Sequence, residues 1–268
     1  MGSNSSGSGF QLRVGRLLIV KTPPPVLQAA GHRGGGAVGG PRHPGDGTVR
    51  RVGIATDILA RGPWDLSQVT ARWREDEFQP EPGATEAADG LLEELRERGS
   101  PSHDGLAARL ADYDVADDQL TLELQPARWA LRLLPLGAAQ SMSIVCLVRA
   151  ADGSWLAGRR AEWLASWPGR WALGAAGSVE VGEQPIDTIG RELHEEWSVS
   201  PDRLQIEALV MRPSGIVMLV GQAWLEDGAQ VTPDHEHDEF AWWPADVERW
   251  PEEAHSSLRR IASLLGSS

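Results

Sequence analysis

Three glutamates in the second half of the chain, Glu192, Glu195 and Glu196, have the spacing of one helical turn. In a helix, residues at i, i+3 and i+4 project from one face, so three carboxylates would gather there. Like charges at this spacing destabilise an isolated helix by about 0.2–0.5 kcal/mol per pair, and a bound cation would offset that repulsion. Carboxylate oxygens favour Mg²⁺ or Mn²⁺, whereas zinc takes His or Cys at ligand spacing. The cluster therefore predicts a magnesium or manganese site suited to phosphate chemistry.

The residues around the cluster predict the helix that must carry it. Pro185 suits the first turn of a helix, where its missing N–H costs nothing. Apolar residues then recur at helical spacing, at Ile186, Ile189, Leu193 and Trp197. We therefore expect one helix face to be buried and another to present the carboxylates, although a solvated acidic face is the alternative interpretation.

The segment from Gly177 to Val199, GSVEVGEQPIDTIGRELHEEWSV, resembles the Nudix box, G-x5-E-x7-R-E-U-x-E-E-x-G-U with U aliphatic. The matching positions are Gly177, Glu183, Arg191, Glu192, Leu193, Glu195, Glu196 and Val199. Ser198 departs from the pattern, because it stands where the family has the left-handed glycine that ends the helix. A non-glycine residue there costs about 1 kcal/mol but removes no ligand.

The resemblance implies a role for each matched polar position. Metal would be bound by Glu192, Glu195 and Glu196, with the Gly177 carbonyl as a further ligand. Glu183 and Arg191 would orient the ligating carboxylates, which is the usual work of groups one step removed from a metal. The implied reaction is hydrolysis of a diphosphate linked to another moiety, in which an activated water attacks phosphorus.

An acidic segment further along, DHEHDEF at 234–240, lies where Nudix enzymes often place an additional glutamate that binds metal or acts as general base. The resemblance makes Glu236 and Glu239 the candidates, and sequence does not choose between them. Two histidines, His235 and His237, alternate with the acids. We interpret them as exposed loop residues rather than as ligands of a transition metal.

Basic and aromatic residues before the box are candidates for substrate binding. A guanidinium offers a two-pronged contact to phosphate oxygens, and this makes Arg160 and Arg170 the stronger candidates and Arg159 a weaker one. Trp167 and Trp163 could stack a nucleobase at the mouth of the site. Packing in the core is the favoured interpretation for both tryptophans, because that is where tryptophan more often lies in a small domain.

Periodicity predicts the rest of the catalytic domain, which we place at 136–268. A hairpin is expected from strands at 142–148 and 154–158, joined by an Asp-Gly turn. Further strands are predicted at 204–211, 216–225 and 240–243, followed by a helix with an apolar stripe from Ala254 to Leu265. A mixed sheet between helices follows, the α/β/α sandwich that the Nudix resemblance implies.

The chain is too long for one such domain, since a Nudix domain needs roughly 130 residues. Residues 1–9 resemble an expression tag or leader, and 10–135 are predicted to be a small α/β accessory domain with a glycine-rich loop at 31–47. Within it we expect strands at 10–20 and 52–59, helices at 85–96 and 103–113, and a strand-like stretch at 120–134. A role in substrate selection or dimerisation is a hypothesis.

The composition of the chain limits the kinds of molecule that it is expected to bind. The net charge of −13 argues against general nucleic-acid binding through a basic surface. Cys146, the only cysteine, lies in a predicted core strand, which excludes an intramolecular disulfide and disfavours a catalytic thiol. Without a signal peptide or a stretch long enough to span a membrane, the expected location is the cytoplasm. A small-molecule diphosphate is the expected partner, and a homodimer is a further hypothesis.

The most specific function that the sequence predicts is Mg²⁺- or Mn²⁺-dependent hydrolysis of a nucleoside diphosphate derivative, with a nucleotide sugar or ADP-ribose preferred. The rest of the pocket selects what is attached to the diphosphate, so the box alone does not name it. One alternative is a Nudix-fold module that binds a nucleotide or sugar without turnover, although no ligating glutamate is missing. Another is an isopentenyl-diphosphate-isomerase-like enzyme, which would need a reactive cysteine in its pocket.

Overall fold

The structure is a computed structural model that describes residues 56–99, 102, 104–135, 138–164 and 166–265. In chain order the elements are β1 (Asp57–Trp64), β2 (Val69–Trp73), α1 (Ala84–Glu97), β3 (Leu106–Ala116), β4 (Gln119–Arg128), β5 (Met142–Arg149), β6 (Trp155–Arg160), β7 (Trp171–Leu173), β8 (Ala175–Ser178), α2 (Pro185–Trp197), β9 (Arg203–Met211), β10 (Val217–Trp224), β11 (His237–Trp243) and α3 (Ser256–Leu265). Short 3₁₀ helices occur at Leu66–Gln68, Trp129–Leu133 and Val247–Arg249. The leader, the strand predicted at 10–20 and the glycine-rich loop lie outside the described residues.

The larger sheet is mixed, as predicted. Its path runs β1, β9, β10, β5, β6, β11, with β7 paired to β6 and β8 paired to β5. Strands β5 and β10 are parallel, whereas the other pairs are antiparallel. A second sheet has the order β2, β4, β3. In the described residues no helix is both long and apolar enough to cross a membrane.

Side chains alternate across β5, and this alternation gives the sheet two buried faces. Ile144 and Cys146 pack in the core cluster that contains Ile189 and Leu193 of α2. Leu147 packs in a separate cluster with the Ala262 and Leu265 side chains of α3. The two helices therefore cover opposite faces, and the Nudix-like α/β/α sandwich is confirmed. Cys146 is fully buried, and burial raises the pKa of its thiol, which disfavours the isomerase alternative.

Helix α2 begins and ends where the sequence predicts. Pro185 occupies its first turn, and Ile189, Leu193 and Trp197 are fully buried. The helix ends at Ser198, which has φ 57° and ψ 35°, the left-handed conformation that glycine adopts more easily. Its N–H donates to the His194 carbonyl at 2.9 Å. The serine therefore caps the helix in the geometry of the missing glycine.

Replacing Ser198 with glycine should stabilise the fold. A left-handed serine carries backbone strain that glycine relieves, and the gain is reduced by the greater entropy of glycine in the unfolded chain. We expect Ser198→Gly to raise the free energy of unfolding by about 0.5 kcal/mol in urea titrations. Ser200→Gly, at a position after the cap, is the matched control and should give no gain. A loss of stability in Ser198→Gly would contradict the assigned cap geometry.

The N-terminal part is built into the same core as the predicted catalytic domain. Strand β1 pairs antiparallel with β9, so it extends the larger sheet. Trp64, Val69 and Leu122 belong to the core cluster that contains Ile144 and Leu193. The predicted boundary near residue 135 therefore does not coincide with a break in the hydrophobic core.

One predicted helix is wrong. Residues 103–113 were expected to be helical, but 106–116 form β3, antiparallel to β4. Ala, Leu and Arg favour a helix locally, and pairing with β4 together with burial of Ala108 and Leu110 overrides that preference. The helix predicted at 85–96 is present as α1. The strand-like stretch at 120–134 divides into β4 and the 3₁₀ helix Trp129–Leu133.

Candidate metal centre and active site

Glu192 of α2 lies directly over the backbone of Gly177 in β8. A Cβ built on Gly177 would come within 1.7 Å of Glu192 Oε1, closer than any real contact. Only glycine therefore fits at this crossing of strand and helix. The structure brings together the first residue of the box and a predicted ligand, while coordination by the Gly177 carbonyl stays a prediction.

Glu196 is buried beside the same strand. Its Oε1 accepts a hydrogen bond from the Ala176 N–H at 3.2 Å, and its Oε2 lies 3.9 Å from His237 Nε2. Ala176 directly precedes Gly177, so both carboxylates converge on the middle of the short strand β8. Glu195, at the remaining ligand position, is about one-third exposed and faces the solvent side of the cluster.

Arg191 holds the acidic residues in place. It bonds both Glu183 oxygens, with Nε donating at 3.0 Å and Nη2 at 3.2 Å. Its Nη1 donates to Glu192 at 2.8 Å and to Glu195 at 3.4 Å, and Nη2 reaches the Ser178 carbonyl at 3.3 Å. Burial opposes its charge, yet the hydrogen bond to Glu183 and the three carboxylates leave the pKa of Arg191 raised. One rigid guanidinium therefore sets the orientation of three glutamates.

Three buried carboxylates repel one another at this site. The pKa of Glu192 is raised to about 7, mainly by burial and in part by the charges of Glu195 and Glu236, while Arg191 opposes the rise. Burial and then the charges of Glu192 and Glu236 raise the pKa of Glu196 well above its usual value. Burial also raises the pKa of Glu236. So much negative charge in a dry site is what a divalent cation would neutralise.

The donor set fits a hard cation in chemistry, since carboxylate oxygens are what Mg²⁺ and Mn²⁺ prefer. Among the described residues, no three acidic, histidine or cysteine side chains already stand in ligand geometry. Repulsion between carboxylates and the bond from Arg191 to Glu192 account for this arrangement. Glu192, Glu195 and Glu196 are the residues that would hold the ion.

The two candidate acids of the 234–240 segment, Glu236 and Glu239, lie in different surroundings. Glu236 is buried, its carboxylate is 3.7 Å from Arg160 Nη2, and its carbonyl accepts from the Ala161 N–H at 2.8 Å. Glu239 is exposed and pairs with Arg159 at 3.7 Å. Burial and the shared electrostatics with Glu192 and Glu196 therefore favour Glu236 as the additional acidic residue.

The prediction that both histidines are exposed is half wrong. His235 is exposed, but the His237 side chain is 1% exposed. His237 lies against Trp197, with ring centroids 4.4 Å apart, and its Nδ1 is 3.3 Å from Asp234 Oδ1. Sequence reasoning missed Asp234 and His237 as neighbours of the site. The alternation of β11 could have found His237, because a strand that begins there turns successive side chains to opposite faces, whereas Asp234 precedes the strand and carries no such signal.

The predicted substrate-binding residues separate into buried and exposed groups. Arg160 is buried, with Nε donating to the Ser166 carbonyl at 3.0 Å, whereas Arg170 is exposed. Trp167 is half-buried and meets His255 edge-on at 5.4 Å. Trp163 is 45% exposed and stacks on His235 at 5.5 Å, so it does not lie in the core as expected.

Comparison with known protein families decides the identity of the part of the chain that carries these side chains. The family model described as NUDIX domain matches residues 140–265. Residues 140–265 form a Nudix domain. The domain is of the Nudix pyrophosphohydrolase type, and the match covers every predicted site residue from Arg160 to Glu239.

A curated relative and several solved structures are similar to this Nudix domain. The nucleoside triphosphatase NudI of Escherichia fergusonii is 28% identical over an alignment of 138 residues, and the alignment covers 46% of this chain and 96% of the relative. The Nudix domain of NrtR from Shewanella oneidensis, solved with ADP-ribose, is 16% identical, covers 48% of this chain and 88% of its own, and has a TM-score of 0.38. A MutT Nudix hydrolase from Burkholderia pseudomallei is 19% identical and also has a TM-score of 0.38. Its match covers 48% of this chain and 98% of the hydrolase.

The contacts of Arg191 predict that lysine cannot replace it in the Nudix site. A single ammonium cannot bond both oxygens of Glu183 and also reach Glu192 and Glu195. We expect Arg191→Lys to lower kcat about 10- to 100-fold, the usual cost of losing a group that orients ligands. Steady-state kinetics would measure this, with Arg96→Lys as the control because Arg96 forms an exposed pair on α1. Equal activity of the two variants would contradict the orienting role.

Proposed function

We propose that the Nudix domain uses Mg²⁺ or Mn²⁺ to hydrolyse a nucleoside diphosphate linked to another moiety. The supporting observation is the convergence of Glu192 and Glu196 on the middle of β8, with Glu236 close enough to raise the pKa of both. Glu192, Glu195 and Glu196 would hold the cation. When bound, the cation supplies neutralisation of the charge that develops on the phosphate oxygens.

The side chains of this chain would then divide the work of hydrolysis. Glu236 accepts a proton from the attacking water, since it is a buried carboxylate that Arg191 does not bond and that is not among the three proposed metal ligands. As the water oxygen bonds to phosphorus, the bond from phosphorus to the bridging oxygen breaks. Arg160, beside Glu236, fixes the direction of that carboxylate, while Arg191 fixes the ligating glutamates. Arg170 is exposed and can contact the outer phosphate oxygens.

The loop before β7 provides a surface for the base of the nucleoside. Trp163 and His235 are nearly parallel, with an angle of 12° between their rings, and Trp163 leaves 45% of its surface to solvent. The two loops that carry them are joined by the hydrogen bond from Ala161 to Glu236. This aromatic surface lies next to Glu236, the proposed proton acceptor. It therefore suits a substrate with an aromatic group at one end.

Removing the Trp163 ring should weaken substrate binding and spare the chemical step. Stacking of a base on an aromatic side chain is worth about 1–3 kcal/mol by alanine substitution. We expect Trp163→Ala to raise KM about tenfold with kcat within about a factor of two. Trp163→Phe, the matched control, should keep most of the affinity. An unchanged KM in Trp163→Ala would show that the base lies elsewhere.

The choice of substrate lies between two kinds of diphosphate. We favour a nucleotide sugar or ADP-ribose, in which the diphosphate joins a nucleoside to a sugar. A nucleoside triphosphate is the second candidate, since a 28% identical relative is a nucleoside triphosphatase. Both kinds carry the linkage that the site would cleave.

The test is product release from a panel of nucleotide sugars, ADP-ribose and nucleoside triphosphates, with Mg²⁺, with Mn²⁺ and with EDTA. We expect metal-dependent release of a nucleoside monophosphate from at least one class. If no compound is turned over but one binds saturably, the domain is a non-catalytic nucleotide-binding module. The departure at Ser198 does not favour that module, because this residue caps α2 in the conformation expected of glycine.

The N-terminal part supports the Nudix box directly, and we propose this as its accessory role. Ala71 of β2 exchanges two hydrogen bonds with the Gln184 side chain, at 2.9 and 3.1 Å. The Trp73 indole donates to the Glu183 carbonyl at 3.1 Å. The loop between β8 and α2 is thus held by β2. A cytoplasmic location and a homodimer remain proposals, and light scattering would measure the second.

A further inference from the structure

A buried arginine outside the Nudix site lacks an acidic partner. Arg132, in the 3₁₀ helix Trp129–Leu133, is 3% exposed. Its guanidinium donates to Ser178 Oγ and, at 3.2 Å, to Ser143 Oγ, and it lies 5.6 Å from the Trp129 ring centre. No Asp or Glu oxygen within the described ranges lies within 4.0 Å of it, since none of the ion pairs there includes Arg132.

A second arginine increases the positive charge at this place. Arg212 directly follows β9, in the turn to β10, and β10 begins beside Met142 and Ser143. The turn therefore lies near the start of β5, and the charge of Arg212 acts on Arg132. Burial, and then Arg212, lower the pKa of Arg132 to about 10. Arg212 has no ion pair among the described residues either, and burial lowers its pKa. An unpaired buried charge costs several kcal/mol, so two neighbouring cations without an anion are an incomplete site.

Several hydrogen-bond donors at and near Arg132 have no acceptor among the described residues. Arg132 Nε is buried with no partner among the described residues, and so is the Ser214 hydroxyl, two positions after Arg212. Ser143 and Ser178 are cross-strand neighbours, and each hydroxyl keeps one hydrogen to donate while it accepts from Arg132. Ser143 alternates with Ile144 and therefore lies on the α3 side of the sheet, opposite α2. The site is thus separate from the metal centre.

We propose that Arg132, Arg212, Ser143 and Ser178 form a binding site for a small oxyanion such as inorganic phosphate. Two guanidiniums and two hydroxyls supply the charge and the donors that a tetrahedral oxyanion accepts. The site adjoins the box through Ser178, whose side chain binds Arg132 and whose carbonyl binds Arg191. A bound anion would therefore fix the strand that carries Gly177.

The test is the thermal stability of the full chain in EDTA, with inorganic phosphate titrated against chloride at equal ionic strength. EDTA removes divalent ions, so phosphate cannot gain affinity through the metal centre. A ligand that binds only the folded state raises Tm as its concentration exceeds Kd. We expect saturable stabilisation of the wild type, and at least about tenfold weaker binding by Arg212→Met, a loss of about 1.4 kcal/mol.

Two further variants keep the test decisive. Arg260→Met removes an exposed arginine of α3 and should leave the phosphate response unchanged. Ser143→Ala keeps both charges and should weaken binding severalfold, which provides a second measurement if Arg212→Met does not fold. The proposal is overturned if phosphate does not stabilise the wild type, or if Arg212→Met and Ser143→Ala both respond as the wild type does.

Discussion

Glu196→Gln should lower kcat about 1,000-fold, which corresponds to about 4 kcal/mol of transition-state stabilisation. Glu196 is buried, and a neutral amide at this position removes the negative charge that would hold the cation. The amide has nearly the same shape, and its oxygen can still accept from the Ala176 N–H, so folding should be retained. Steady-state kinetics on whichever substrate the panel identifies would measure the loss.

Asp187→Asn is the matched control for that variant. Asp187 is an exposed carboxylate in the first turn of the same helix, so its replacement changes the helix charge equally without touching the cluster. We expect its kcat to stay within about a factor of two, because exposed substitutions away from special contacts have small effects. If Glu196→Gln were as active as Asp187→Asn, the assignment of Glu196 as a ligand would fail.

Gly177→Ala is expected to have the second large effect. Its Cβ would overlap Glu192 Oε1 at 1.7 Å, so either the carboxylate or β8 must move. We expect overpacking to cost about 1–3 kcal/mol of stability and displacement of Glu192 to lower kcat about 100-fold. Urea unfolding and kinetics would measure the two effects separately.

The chain offers a matched glycine for comparison. Gly190, inside α2, has nothing within 4 Å of a built Cβ. Gly190→Ala should therefore raise the free energy of unfolding by about 0.5–1 kcal/mol and leave kcat unchanged, since alanine is the better helix former. Opposite signs for the two Gly→Ala variants are the predicted pattern. If Gly177→Ala were also stabilising and active, Glu192 could not lie where the structure places it.

The box was predictable because its requirements are local. Helix α2 follows from Pro185 and the apolar stripe, and the contacts of Arg191 with Glu183, Glu192 and Glu195 follow from residues spaced along one loop and one helix. Ser198 adopts the conformation that the family assigns to glycine, so the departure from the motif changes strain rather than geometry. Residue spacing was sufficient to predict contacts between residues on one helix or on the loop next to it.

Features that depend on distant pairing were not predictable. The segment around Leu110 has helix-forming residues, and only its pairing with β4 makes it a strand. His237 is buried although an exposed position is predicted, and Trp163 is exposed although a core position is predicted. Burial depends on what packs against each side chain rather than on its type. Likewise, no local pattern indicates that β2 binds Gln184 across more than 100 residues.

The contacts that β1 and β2 make with the Nudix domain change how the accessory role should be tested. A fragment of 136–268 would lose the partner of β9 and the hydrogen bonds to Gln184 and Glu183. Exposure of a bare sheet edge invites aggregation, so a loss of activity in the fragment would not identify a role in substrate selection. Substitution within the full chain is the cleaner experiment, and Trp73→Phe removes one such bond with little change of volume.

The most direct test of the metal centre is Mn²⁺ binding followed by electron paramagnetic resonance, in which free Mn²⁺ gives the signal and bound Mn²⁺ does not. The wild type should remove Mn²⁺ from solution saturably, and Glu196→Gln should bind at least about tenfold more weakly, with Asp187→Asn like the wild type. Equal Mn²⁺ affinity in Glu196→Gln and the wild type would contradict the proposal that the carboxylates beside β8 hold the catalytic cation.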